Sequence, residues 1–504
     1  MTTKSRPLAT LVQRALGGHA AIGLLASALL YIIALTGTLI VIHDRWQRWE
    51  QPAIAETETL SPEGAQAAMG TVLASERGKT RTTHLYIRMP TGDLPRAVVT
   101  TDHGGQYVDG AGRIVGREAH AWTEFVIGLH EYLHLPSTLG LIVVGALGVA
   151  LSALVVTGVL AHPRILRDAF RLRTRHDAQI ARADWHNRLG VWTLPFVLAV
   201  ALTGAFIGLG SVGFSVLAKA YTGGDAAKIY APIFGHEPKP DPSGAPSPDI
   251  AAALRTLATR VPYAVPTYVI VHDPGTRGQH VQIIAEHPRR LIYGETYAFD
   301  ARGQWRGATG LSDGALGQQA AASAYNLHFG NYGGLAIELA YMLLGLGLCV
   351  VTATGTTLWL QKRRRRGLGG DRLAACWEVV IWGTPLLLVA SIWLRAIVGP
   401  DAPLVWSFWG LLVAGLAIAA VHPSWPARHR LQQAALLSVL ATAVLHLAIF
   451  WLPAWPIVAI DLCALALASA GLVIRGRAAP VSDARVRRSP PPGGGSHPLA
   501  GPRT

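Results

Sequence analysis

About eight runs of roughly 20 apolar residues, the length that crosses the hydrocarbon core of a bilayer, govern what this chain can become. They begin near Ala20, Ser137, Val191, Leu335, Val379, Leu404, Ala434 and Trp455. With 51% of its residues hydrophobic and 15% charged, the 504-residue chain lacks the polar surface of a soluble domain. The pattern predicts a mainly α-helical membrane protein with about eight transmembrane helices. The runs divide it into an inner N-terminus (1–15), a first span (16–43), an outer domain (44–136), a second span (137–161) and a basic loop (162–190). A third span (191–210), a second outer domain (211–332), a fourth span (333–361), four further helices within 379–475 and a tail (476–504) follow.

The formal net charge of +14 gathers in "RILRDAFRLRTRHDAQIARADWHNR", "QKRRRRG", "PARHR" and the segment beginning "RGRAAP". The positive-inside rule places these segments, and with them both termini, in the cytoplasm. A topology signal accounts for the charge, so no nucleic-acid surface is expected. The first run is too long for a secretory signal, and no small-residue cleavage site precedes "HDRWQRWEQP", so it reads as an uncleaved span. Cys349, Cys376 and Cys463 show neither pairing nor CxxC spacing. The end, "SPPPGGGSHPLAGPRT", has the composition of a disordered tail.

The two outer segments share an order of elements. "SPEGAQAAMGTVLAS" reads as a helix, followed by strands in "HLYIRM", "RAVVTT" and "QYVDG". "SPDIAAALRTLATR" is the second helix, followed by "TYVIVHD", "HVQIIAE" and "ETYAFD". The chain from span 1 to span 2 is thus expected to repeat from span 3 to span 4, in parallel orientation and without broken helices around acidic residues.

Histidines mark the same repeat. His19 precedes Gly37 by 18 residues, as His186 precedes Gly204; His130 precedes Gly158 by 28 and His328 precedes Gly355 by 27. His19 and His186 therefore lie near the inner face, and His130 and His328 near the outer face. Ionisable side chains at spans are costly and point to function. Neutral imidazoles on facing helices are good axial ligands for haem iron, so each matched pair is expected to hold one b-type haem. Covalent attachment is excluded because no CxxCH is present, and zinc would want more ligands than two histidines supply. His134, four residues after His130, is the reserve ligand for the outer iron.

His43 and His162 end spans 1 and 2, where haem propionates or the interface would meet them. His446 is given a packing role. His103, His272, His280 and His287 fall in the outer domains. Tyr132, Trp305, Tyr325 and Tyr332 lie near the outer pair as interfacial or stacking residues, and Glu338 as an interfacial hydrogen-bonding group. Neither Ser137 nor Ser211 has a triad around it.

Thr36-Gly37, Thr157-Gly158, Thr203-Gly204 and Thr354-Gly355 recur in the four repeated spans. Eighteen helical residues cover about 27 Å. Gly37 and Gly204 thus reach the level of the outer histidines, and Gly158 and Gly355 that of the inner ones. A glycine lets a flat macrocycle approach the backbone, and the threonine bonds its own helix or a propionate; close helix packing is the rival explanation.

"DWHNRLGVWTLPFVLAVALTGAFIGLGS", "NLHFGNYGGLAIELAYMLLGLGLCVVTATGTTLWLQKR", "GGHAAIGLLASALLYIIALTGTLIVIHDRWQRWEQP" and "LHEYLHLPSTLGLIVVGALGVALSALVVTGVLAHPRI" resemble the four spans of PepSY-associated transmembrane helix proteins. The resemblance covers about Leu16 to Arg366; the outer domains resemble small α+β PepSY modules by element order alone. It implies iron-regulated reductases of the bacterial inner membrane, among them siderophore reductases with two haems in a four-helix bundle, which pass electrons to periplasmic ferric chelates. By matching positions, His19 and His186 would hold the inner haem and His130 and His328 the outer one. The basic loops contain no GxGxxG, and no flavin or nicotinamide domain is fused to the spans, so the electron donor is left open between a quinol and a cytoplasmic reductase. Two other functions fit this outline: a non-enzymatic sensor or scaffold with peptide-binding outer modules, and a transporter of haem or metal.

Overall fold

Among the described residues of this computed structural model, seven helices are long and apolar enough to cross a membrane, with an eighth crossing if a pair bent by 65° counts as one span. The structure describes residues 6–162, 164–165, 167, 169–170, 178–234, 241–288, 290–424, 428–450 and 455–478. The first repeat contains α1 (Arg6–Ile40), α2 (His43–Glu50), α3 (Pro62–Ser75), β1 (His84–Arg88), β2 (Ala97–Thr101), β3 (Gly104–Val108), β4 (Ile114–Arg117), α4 (Ala121–Tyr132) and α5 (Ser137–Ala161). The second contains α6 (Ala178–Trp192), α7 (Leu194–Gly208), α8 (Gly210–Tyr221), α9 (Ala227–Phe234) and α10 (Ile250–Arg260). It continues through β5 (Val265–His272), β6 (His280–Glu286), β7 (Glu295–Phe299), β8 (Trp305–Ala308), α11 (Leu316–Phe329) and α12 (Gly334–Arg365). The C-terminal unit comprises α13 (Asp371–Glu378), a π-helical turn (Val379–Gly383), α14 (Thr384–Val398), α15 (Leu404–Val421), α16 (Arg428–Ile449) and α17 (Trp455–Ala478).

The expected helices and strands of the outer segments form. The Ser61 hydroxyl caps α3 by accepting from Gly64 N–H, and the Asp249 carboxylate caps α10 by accepting from Ala252 N–H. The two segments are not separate domains, however. Each adds a fourth strand, β4 or β8, and all eight join in one sheet of order β4-β3-β2-β1-β5-β6-β7-β8. The joint is the antiparallel pair β1 and β5, with His84 opposite His272 and Arg88 opposite Tyr268. Apart, each half would expose a row of unpaired backbone groups along that strand. α3 and α10 cover one face, where Met69, Val72 and Leu257 pack on Leu85, Ile87, Val269 and Ile283. The other face bears His84, Tyr86 and Arg88. Arg88 donates to both oxygens of Asp44 at 2.6 Å, tying the sheet to the end of the first span.

The third span also departs from expectation. It starts at Ala178, inside the stretch read as loop, and breaks at Thr193, just before Pro195. Proline has no N–H to continue the helical ladder. α8 and α9 were not foreseen, and α1 starts at Arg6 within the expected N-terminal segment. α17 reaches Ala478; the remaining tail and residues 171–177 of the basic loop lie outside the described residues.

The C-terminal unit is fastened to the repeats by polar groups in apolar surroundings. Pro385 lacks the N–H that an α-helix would return to the Ile381 carbonyl, and the buried Tyr31 hydroxyl of α1 donates to that carbonyl at 2.8 Å. Trp122 of α4 donates to Leu388 O and Ser391 Oγ. His446, expected only to pack, makes polar contacts instead: its Nδ1 pairs with Asp461 at 2.7 Å, its Nε2 meets the Trp49 carbonyl at 3.1 Å and its ring stacks on Trp49, whose indole N–H also donates to Asp461. Tyr31→Phe should leave a buried carbonyl without its donor, cost about 1–3 kcal/mol and lower the thermal unfolding midpoint in detergent. An unchanged midpoint would mean that the π-helical turn satisfies Ile381 by itself.

Candidate cofactor site

The four matched histidines meet in pairs. His19 of α1 faces His186 of α6 with ring centres 6.3 Å apart, and His130 of α4 faces His328 of α11 at 6.0 Å. The second pair lies at the sheet side of the bundle and the first at the far side. An imidazole nitrogen sits about 2 Å from a bound metal, so two opposed axial imidazoles need ring centres roughly 6 Å apart.

All four rings are oriented in one way. His19 Nδ1 donates to Leu154 O at 3.0 Å, His130 Nδ1 to Ile33 O at 3.0 Å and His186 Nδ1 to Val351 O at 2.9 Å; His328 bonds the Val200 carbonyl. Each acceptor stands three residues before the threonine of a Thr-Gly pair. That threonine donates to the carbonyl of its own preceding turn, at 2.6–2.7 Å in all four helices. In three of them its Oγ1 also stands 3.1–3.3 Å from the imidazole Nδ1. The proton is thereby fixed on Nδ1 and the Nε2 lone pair is left for a metal, the arrangement that metal-binding histidines use.

The glycines stand at the expected levels, but what they touch is the imidazole. A Cβ on Gly37 would lie 2.6 Å from His130 Cε1, and one on Gly204 2.8 Å from His328 Cε1. On Gly158 it would lie 3.3 Å from His19 Cε1, and on Gly355 2.9 Å from His186 Cε1. Glycine is required because the Nδ1–Cε1 edge of the ring presses against the helix that accepts its proton.

Exchange is reciprocal within a repeat. α1 lends His19 to the Thr-Gly pair of α5, and the α4–α5 arm lends His130 to that of α1. α6–α7 and α11–α12 do the same with His186 and His328. The facing pairs then cross from one repeat to the other.

A cavity of about 480 Å³ surrounds the sheet-side pair, within the range of about 300–1,000 Å³ that bound small molecules occupy. Ile33, Val144, Leu147, Val200 and Leu348 give it apolar walls, and Gly37, Gly204, His43, Glu131 and Tyr325 complete it. Burial holds both imidazoles below the usual histidine range, His328 at about 4, so they stand neutral. Among the described residues no group of three His, Cys, Asp or Glu side chains converges on a metal position. A metal with only two protein ligands fits a macrocycle that supplies the rest, so these residues suit haem.

Other expected residues fall elsewhere. His134 is turned away: its Nε2 bonds Phe125 O at 2.8 Å and its ring stacks on Phe125. Leu133 and His134 both adopt positive φ, which makes the corner between α4 and α5. His43 lines the cavity but pairs with Asp44 at 2.9 Å. His162 ends α5. Glu338 bonds Arg45 at 3.2 Å. Trp305 belongs to the sheet, against Phe299 and Tyr297, and Tyr132 lies beside His134. Tyr332 reaches Tyr341, which lines the cavity and was not singled out; its hydroxyl donates to Leu327 O at 2.6 Å.

Gly37→Leu should displace His130 and strip a haem from the sheet-side pair while sparing the other, and Gly158→Leu should do the reverse, as read by haem content and low-temperature absorption spectra. Equal damage to both pairs in either variant would mean that the glycines serve helix packing alone.

The match to the model of the PepSY-associated TM region covers residues 17–362, both repeats together. An uncharacterised protein of Pseudomonas aeruginosa is 30% identical over 353 residues, which cover 64% of this chain and 86% of that protein. Repeats, histidine pairs and similarity agree: the chain is a membrane protein of the PepSY-associated TM region family.

Proposed function

We propose that the chain binds two b-type haems at its histidine pairs and conducts electrons across the bacterial inner membrane to a periplasmic ferric chelate, releasing Fe(II). The observation that carries this reading is the fourfold repetition of one ligand geometry at two levels of a membrane bundle. Bound haem would supply one-electron redox chemistry. The protein's part is orientation. Leu154, Ile33, Val351 and Val200 take the Nδ1 protons, and His19, His186, His130 and His328 present Nε2. The apolar walls keep water from the sheet-side pair. A quinol or a cytoplasmic reductase is the donor, meeting the far-side pair with both termini on its side of the membrane. Reduction loosens an iron chelate because hard oxygen ligands hold Fe(II) less firmly than Fe(III).

The absorption spectrum of the protein purified in detergent tests the reading. A sharp Soret band that shifts on reduction is expected, and His328→Ala should lose about half of the haem, from the sheet-side pair only. A protein that carries no haem and takes none up would end the conduit reading. A transporter would move labelled metal or haem into vesicles without any reductant.

A further inference from the structure

The two halves of the sheet can be aligned by their last turns. Asp109 N–H donates to Arg113 O, and Asp300 N–H donates to Gln304 O, with Gly112 and Gly303 at positive φ in each turn. Asp109 therefore corresponds to Asp300, and two residues earlier Tyr107 corresponds to Ala298. Strand register extends the match: Val98 lies opposite Tyr107 and Gln282 opposite Ala298, so Arg96 corresponds to His280.

The difference between these positions opens a space. In the first half Tyr107 and Arg96 are each 1% exposed, with the guanidinium 5.6 Å from the ring centre. Arg96 donates to Gln51 O and the Tyr107 hydroxyl to Gln51 Oε1, so the face away from α3 is filled. In the second half Ala298, with only a methyl group, holds the position of Tyr107. A pocket of about 840 Å³ lies there between the strands and α9.

We propose that this pocket is the seat of the ferric chelate and that it selects anionic oxygen-donor chelates bearing carboxylates; this rests on the reductase reading above. Lys228, Arg277 and Arg306 line it, against Asp241 and Asp300. Both carboxylates are already engaged, Asp241 by Ser243 N–H and Asp300 by Arg302 N–H, Gln304 N–H and Arg306. Three cations against two carboxylates leave the lining a single positive charge, with Arg306 paired to Asp300 and Lys228 3.6 Å from Asp225, and Gln282 adds a hydrogen-bonding amide. The pocket also adjoins the helix that carries a histidine of the sheet-side pair. Gln318, in the first turn of α11, donates to the carbonyls of Thr309 and Pro232, two residues of the pocket wall. His328 follows ten residues along the same helix, about 15 Å away.

The test uses the full-length, haem-loaded protein in detergent and gallium(III) citrate, a redox-inert carboxylate chelate, as the probe in equilibrium titration. Saturable binding is expected. Ala298→Tyr, which rebuilds the filled state of the first half, and Arg277→Glu, at the rim, should each weaken it about tenfold or more with both haems retained. Wild-type binding in both variants, or no binding by the wild type, overturns the assignment. Haem content and reducibility, read on the same samples, report separately on the conduit reading.

Discussion

The interaction on which the site depends is the bond from each imidazole Nδ1–H to a main-chain carbonyl of a neighbouring helix. A helix carbonyl already accepts from the N–H four residues on, and its second lone pair is seldom used inside an apolar bundle. Here it takes a histidine proton, and that choice dictates the local sequence. Glycine must stand one turn beyond the acceptor so that the ring can reach it, and threonine must precede the glycine. The Thr-Gly pair that resembles a packing motif is the receiving half of a side-chain lock.

Much of this was legible from spacing. Helix rise converts 18 residues into a depth, so spacing alone matches His19 with His186, and His130 with His328, to levels and to glycines. The meaning of the glycines was not legible, because a spacing cannot tell whether an imidazole or a macrocycle lies against them. Nor was the corner at Leu133 and His134, where non-glycine residues take positive φ without a sequence signal. Spacing therefore keeps His134 as a reserve for His130, although the corner turns it toward Phe125.

Long-range joints were the hidden part. The helices and strands of both outer segments followed from local pattern and capping, but the pairing of β1 with β5 connects strands far apart in the chain, and nothing in either strand names its partner. The same holds for Tyr31 with Ile381 and for His446 with Asp461. A proline in a span signals a carbonyl in need of a donor, yet not which helix supplies it. The bend of the third span had a cue in Pro195 that the apolar run concealed.

The crossing of the histidine pairs has a consequence for the origin of the chain. Each repeat orients two imidazoles by itself but completes neither pair, since every facing partner comes from the other repeat. The central strands likewise meet antiparallel, edge to edge, as identical strands do about a twofold axis. A half-length ancestor would thus have been complete only as a symmetric homodimer, with the sheet joint and both histidine pairs as its isologous interface. Within one polypeptide the two copies are free to differ, and they do: one fills the face of its sheet with Tyr107 and the other has Ala298 there.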